Sequence, residues 1–488
     1  MITCRVTSKV TNQSVSHAFL NDLLVRCIKD GLQEKIYMAS MSSLDLVLSS
    51  TDIGIDFSVV GYSEKASNLL LMGITYLFLD ESKFCSNILA RQLEILEIAY
   101  SNAGLTASNT AKDARLCALK KDRYSYAEKL TYLNEFGKNI DNLKIKLIGY
   151  FSQFTTNICV ESLVYGNLSA TNSIALGQQL MKLIQDTNCS LHLLNYPEQP
   201  IAIVPQSAPV IINVSPSNLL EENNAIECYF QSGPFDLKSL TLLNLLDQIL
   251  FERFYDTLRT HEQIGYSVSC GVRETFGILG FCFHVVSASC SLDEIRCSIF
   301  KFVESIPDLL ASMKPQSNDP STTSQVKNST VEYIFSDHIK SLIDLKIRPD
   351  STLLDAAKTR WSLIEERCYF FDRSTEQAAF LIGKVKESDE FDASAAPEKW
   401  EGKMSVSKLT NFQEELVEFS KKVFIDKKST KILIVQSSAK NLNDQEKSIN
   451  VVHSKKFKAN NFFDMNSAKI FNSSRKFNIA SQNYSNMV

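Results

Sequence analysis

One stretch of this chain, residues 246–287 (LDQILFERFYDTLRTHEQIGYSVSCGVRETFGILGFCFHVVS), changes its hydrophobic period partway along. Leu242, Leu243, Leu246, Ile249, Leu250, Phe254 and Leu258 recur at helical spacing, so one face of a helix reaching about Arg259 is buried. Residues 260–265 break the pattern. From Tyr266 the period is two, with Tyr266, Val268 and Cys270 on one face, and after a turn at 273–277 the run 278–286 is rich in β-branched and aromatic residues. The expectation is a helix that feeds an antiparallel hairpin.

The same order of elements opens the chain. Leu24, Ile28, Leu32 and Ile36 form a helical stripe, residues 43–48 read as a strand, and 55–60 as its hairpin partner across a turn at Asp52 and Gly54. A displacement of 222 residues, the separation of Leu24 from Leu246, superimposes Leu32 on Phe254, Ile36 on Leu258, Leu44 on Tyr266 and Leu46 on Val268. Core pattern survives this superposition, whereas Tyr37 falls on Arg259. The expected fold class is α/β (α+β), with two homologous domains, each a mostly antiparallel sheet covered by helices on one side. Expected boundaries are 1–190 for a degenerate first domain, 191–440 for the second, and 441–488 for a polar, partly disordered tail rich in Asn, Ser and Lys. The boundary rests on Pro197, Pro200, Pro205, Pro209 and Pro216, which favour extended backbone.

Further helices are expected at 68–78, 80–102, 110–119, 125–136 and 143–154, and then at 292–313, 331–347, 353–368 and 408–423. Residues 158–164 read as a central strand, 225–231 as the first strand of the second domain and 430–436 as the closing strand. The polar runs 314–330 and 385–404 read as a loop and a solvent-reaching insertion.

Composition narrows the function classes. The chain has 488 residues, a formal net charge of −4 and no dominant basic cluster, which argues against a nucleic-acid or anionic-membrane surface. No stretch approaches a spanning helix, and the opening residues lack a basic-then-apolar leader pattern. The 12 cysteines are scattered without C-x-x-C pairs, which reads as reduced thiols and a cytoplasmic location.

The segment LRTHEQIGYSV, 258–268, resembles the L-R-T-x-E-Q-L-G-Y-x-V signature in the C-terminal half of insulin-degrading enzyme and its relatives, the pitrilysin-type zinc peptidases. Similarity extends to LLVRCIKDGLQEKIYMASMSSLDLVL, ESLVYGNLS and YFFDRSTEQAAFL, over roughly residues 1 to 440. The resemblance implies a peptidase chamber in which Arg259 and Tyr266 reach substrate and act as catalytic residues, with Tyr255 as a substrate-binding aromatic. From the residues alone, the favoured reading is that Arg259 complements a helix C-terminus and Tyr266 begins a half-buried strand; the resemblance reverses that preference.

None of the six histidines, His17, His192, His261, His284, His338 and His453, starts H-x-x-E-H or H-E-x-x-H, so no metal site is assigned to this chain. The Zn²⁺ cofactor is expected on a missing or partner N-terminal half, covalent or separate, and the other expected partner is a peptide substrate. His261 reads as solvated and His284 as a satisfied core residue. Three classes stand open: the substrate-binding half of an insulinase-like metalloendopeptidase, a non-catalytic structural or regulatory paralogue that binds peptides or a partner half, and an α/β interaction module with no peptide cleft.

Overall fold

A computed structural model describes residues 1–137, 139–156, 158–187, 199–206, 209–218, 220–315, 334–366, 370–386 and 403–439. The expected tail at 441–488, most of the insertion at 385–404, most of the loop at 314–330, and residues 188–198 near the expected boundary lie outside the described residues.

The first half runs β1 (Ile2–Ser8), α1 (Val15–Gly31), α2 (Gln33–Ser40), β2 (Leu44–Thr51), β3 (Gly54–Gly61), α3 (Ser63–Leu79), α4 (Ser86–Ala103), α5 (Ala107–Leu119), α6 (Tyr126–Phe136), α7 (Ile140–Thr156), β4 (Ile158–Val164) and α8 (Ala170–Gln185). The second runs β5 (Val210–Val214), β6 (Asn224–Pro234), α9 (Leu237–Tyr255), a π-helical turn (Asp256–His261), β7 (Ser267–Thr275), β8 (Ile278–Ser287), α10 (Leu292–Ser312), α11 (Phe335–Ile347), α12 (Leu353–Glu365), α13 (Arg373–Val385), α14 (Val406–Phe424) and β9 (Ile432–Ser437). Side-chain caps start several helices where the sequence places Ser or Asp: Ser14 accepts the His17 N–H, and Asp236 accepts the Ser239 N–H.

The two sheets have the orders β2-β3-β1-β4 and β5-β9-β6-β8-β7. Displacing the first half by 222 residues lays β1 on β6, α1 on α9, β2 on β7 and β3 on β8. Strand order then agrees as well, with β4 matching β9: β4 pairs antiparallel with β1, and β9 pairs antiparallel with β6. β5 is an addition, parallel to β9 at the far edge.

Each sheet lays one face against its own helices, because alternation sends every second side chain that way. In the second sheet Ile226, Cys228 and Phe230 of β6 and Leu279, Phe281, Phe283 and Val285 of β8 join α9, α10 and α14 in one core. The opposite faces are covered across the chain. Helix α5, from the first half, lays Ala107, Ala111, Ala118 and Leu119 on Ala225, Tyr229, Cys282, Val286 and Val435. On the first sheet, Arg5 of β1 is buried beneath Trp361 of α12, 5.0 Å from guanidinium carbon to ring centre.

Three local expectations change. β4 is an edge strand and not a central one, and its outer residues stay half-exposed because nothing pairs on that side. The stripe 24–36 spans two helices, since the backbone leaves helical geometry at Leu32 (φ −93°, ψ 0°). Helix α8 and strand β5 are additional to the elements expected from the sequence.

Candidate functional site

Helix α9 ends at Tyr255, and the chain widens into the π-helical turn Asp256–His261 instead of stopping. Such widenings recur at functional positions because they turn side chains out of the regular helical sequence. Leu258, fully buried, anchors the turn in the core, and the carbonyls of Thr257 and Leu258 accept the N–H groups of Glu262 (2.9 Å) and Ile264 (2.8 Å). Gln263 then takes a left-handed backbone, φ +51°, which a non-glycine residue adopts at a cost. At Gly265 a Cβ would collide with the Val286 carbonyl oxygen of β8, so only glycine lets the chain pass so close to the sheet. The sequence E-Q-x-G therefore has a mechanical meaning: it folds the chain back so that Tyr266 emerges just before β7.

The structure brings Tyr255 and Arg259 together, with the guanidinium carbon 4.9 Å from the ring centre. That stacking is a cation–π contact, worth about 0.5–1 kcal/mol at an exposed site. Tyr266 is 57% exposed and Arg259 is exposed as well. Neither the Arg259 guanidinium nor the Tyr266 hydroxyl takes part in a hydrogen bond or ion pair among the described residues. Val268 and Cys270, two and four residues after Tyr266, are buried in the core. Glu262 meets Lys301 of α10 at 3.3 Å, which ties the turn to its neighbour. At the matching place in the first half, Tyr37 and Met38 of α2 are exposed and offer no comparable polar pair.

His261 is exposed, as expected of a solvated residue. His284 is buried but only half satisfied: Nε2 lies 3.0 Å from Ser108 Oγ, whereas Nδ1 has no hydrogen-bond partner. Burial pushes its pKa down to about 4. Its neighbour Glu227 is fully buried and accepts the Nε–H of Arg115 at 2.6 Å. Sequence reasoning missed this group, although a glutamate inside the apolar run 225–231 was its signal.

A cleft of about 690 Å³ lies between the halves, lined by Tyr100, Lys120, Arg123, Phe276 and Glu366 among others, and neither Arg259 nor Tyr266 lines it. Its charges are largely internally matched. Asp52 meets Lys120 at 3.2 Å and Arg123 at 3.4 Å; burial works to raise its pKa, but these cations outweigh it and hold the carboxyl below its usual range. Among the described residues no group of three His, Cys, Asp or Glu side chains could hold a metal ion, so these residues do not fit a zinc site. Among those residues no helix is long and apolar enough to cross a membrane.

Residues 1–132 match the middle or third domain of peptidase M16, and residues 245–332 match the C-terminal lobe domain 4 of PQQ synthase PqqF-like proteins. A nardilysin-like protein of Arabidopsis thaliana is 27% identical over 387 residues, covering 77% of this chain and 34% of that one. Human insulin-degrading enzyme is 26% identical over 378 residues, covering 76% of this chain and 34% of the enzyme. The chain thus spans about a third of the length of these curated relatives. The crystal structure of pitrilysin superimposes with a TM-score of 0.68 at 15% identity, over 91% of this chain and 41% of that one. By sequence this chain is similar to the M16 peptidases nardilysin and insulin-degrading enzyme over about three quarters of its length, and it shares the fold of pitrilysin.

Proposed function

We propose that this chain forms the substrate-binding half of an insulinase-like zinc metalloendopeptidase, with the zinc held by a separate or covalently joined N-terminal half. The observation that supports this reading most is that Arg259 and Tyr266, at the two ends of a turn with a strained backbone, are both exposed and have side chains free of hydrogen bonds among the described residues. Tyr266 has a hydroxyl able to donate to a peptide carbonyl oxygen as negative charge gathers there. Arg259 offers parallel donors to a carbonyl or carboxylate, and Tyr255 beneath it supplies an aromatic surface for a side chain of the peptide. Zinc on the other half would polarise the same carbonyl and activate water.

The test is to combine this chain with a zinc-bearing half from an M16 peptidase and follow cleavage of a fluorogenic peptide. Cleavage that requires both halves and is lost on chelation supports the proposal. Saturable peptide binding without any cleavage by the assembled halves would replace it with the non-catalytic, peptide-binding reading.

A further inference from the structure

We propose that Ser108 is an activated nucleophile, a second reactive centre built across the junction of the two halves and suited to small acyl donors such as activated esters. Glu227 of β6 and His284 of β8 are direct cross-strand partners on the sheet face that α5 covers. His284 Nε2 lies 3.0 Å from Ser108 Oγ on α5, and Nδ1 lies 3.5 Å from Glu227 Oε1. Among the described residues neither Nδ1 nor Oε1 makes a hydrogen bond, to each other or elsewhere, so they face one another as a near pair, while Arg115 Nε donates to the second carboxylate oxygen at 2.6 Å and so fixes the carboxylate. A proton on Nδ1 faces Glu227 in this arrangement, which leaves Nε2 as the acceptor for the Ser108 hydroxyl. Hydroxyl, imidazole and carboxylate therefore stand in the order that nucleophilic catalysis uses.

Burial separates the roles. Glu227 is 0% and His284 4% exposed, so base and orienting carboxylate are dry, whereas Ser108 is partly exposed. The low pKa of His284 keeps its imidazole unprotonated throughout the neutral range. Ser108 is the second residue of α5, and the first-turn N–H groups of Ala107 and Ser108 have no acceptor within the helix, so they are donors for an oxyanion beside Oγ. Ser108 lies outside the cleft between the halves and is only partly exposed on a helix laid against the sheet, which restricts the acyl group offered to it to a small one.

In the reaction Ser108 Oγ bonds to the acyl carbon as its proton passes to His284 Nε2. The bond to the leaving alcohol breaks and the alcohol departs with that proton. Water then attacks the acyl-serine, gives a proton to Nε2, and releases the carboxylic acid as the proton returns to Oγ.

A fluorophosphonate probe applied to the full chain, with the labelled residue mapped by peptide mass spectrometry, tests the assignment. The expected result is labelling of Ser108, abolished in Ser108→Ala and slowed at least roughly tenfold in His284→Gln. No label on Ser108 in the folded chain, or equal labelling in folded His284→Gln, overturns the proposal. Should His284→Gln fail to fold, the pH profile of the native chain decides. A labelling rate that levels off above about pH 6 supports a histidine base, and one that climbs with hydroxide through about pH 9 refutes it.

Discussion

Tyr266 is the residue on which the peptidase proposal stands. Val268 and Cys270 on β7 are buried, yet Tyr266 is 57% exposed, so removing the hydroxyl costs the fold little. In the assembled halves, Tyr266→Phe is expected to lower kcat by roughly 10²-fold or more with an unchanged melting temperature, as for loss of an oxyanion donor. A melting temperature several degrees lower with an unchanged rate would make Tyr266 a packing residue. His284 gives a pH prediction. Burial lowers its folded pKa to about 4, below the 6.5 of an ordinary histidine, so the unfolded chain takes up the proton first. The stability tied to neutral His284 is present above pH 6.5 and is lost as pH falls towards about 4. Chemical denaturation across that window should show less acid sensitivity in His284→Gln than in the native chain.

The turn between α9 and β7 is an element whose geometry a single residue controls. Gly265→Ala sets a methyl group against the Val286 carbonyl, and either the turn or β8 must shift. The expected cost is roughly 2 kcal/mol, read by urea denaturation, together with a drop in peptide cleavage, because Tyr266 is the next residue. The switch of hydrophobic period makes the helix and the hairpin legible in the sequence. It could not show that the helix ends in a π-helical turn, since that widening depends on Leu258 being held in the core while Gln263 adopts a left-handed backbone. Strand β4 shows the same division: its apolar run identified a strand, but whether a neighbour pairs on its outer side is a property of the sheet.

Across the whole molecule each half covers part of the other. Arg5 is bonded through Nε (2.7 Å) and Nη2 (2.6 Å) to Asp56 in its own sheet, and Nη2 also reaches Glu365 of α12 at 2.9 Å, under Trp361. Arg5→Ala leaves Asp56 buried without its cation, at an expected cost of about 3–5 kcal/mol, with faster amide exchange in β1 and α12. Trp361→Ala should speed exchange in the same two elements and spare β7 and β8, which separates a loosened junction from global unfolding. A further expectation concerns metal: elemental analysis of the purified chain after chelator treatment should find less than one zinc per chain, and a stoichiometric zinc would demand ligands outside the described residues.

Periodicity and the repeat at 222 residues determined two copies of one helix–hairpin unit, because burial of one face imposes a period that a single sequence carries on its own. The signature at 258–268 likewise marked Arg259 and Tyr266 through residue types that need no partner to be recognised. Only the tertiary structure decided that Tyr255 stacks on Arg259, that α5 crosses to the second sheet, and that Ser108 meets His284 beside Glu227. The first is a contact across one helical turn whose side-chain geometry the π-helical widening sets; the others join residues far apart in the chain, 176 positions for Ser108 and His284, and strand register and the docking of one half on the other set them, neither of which leaves a period in the chain.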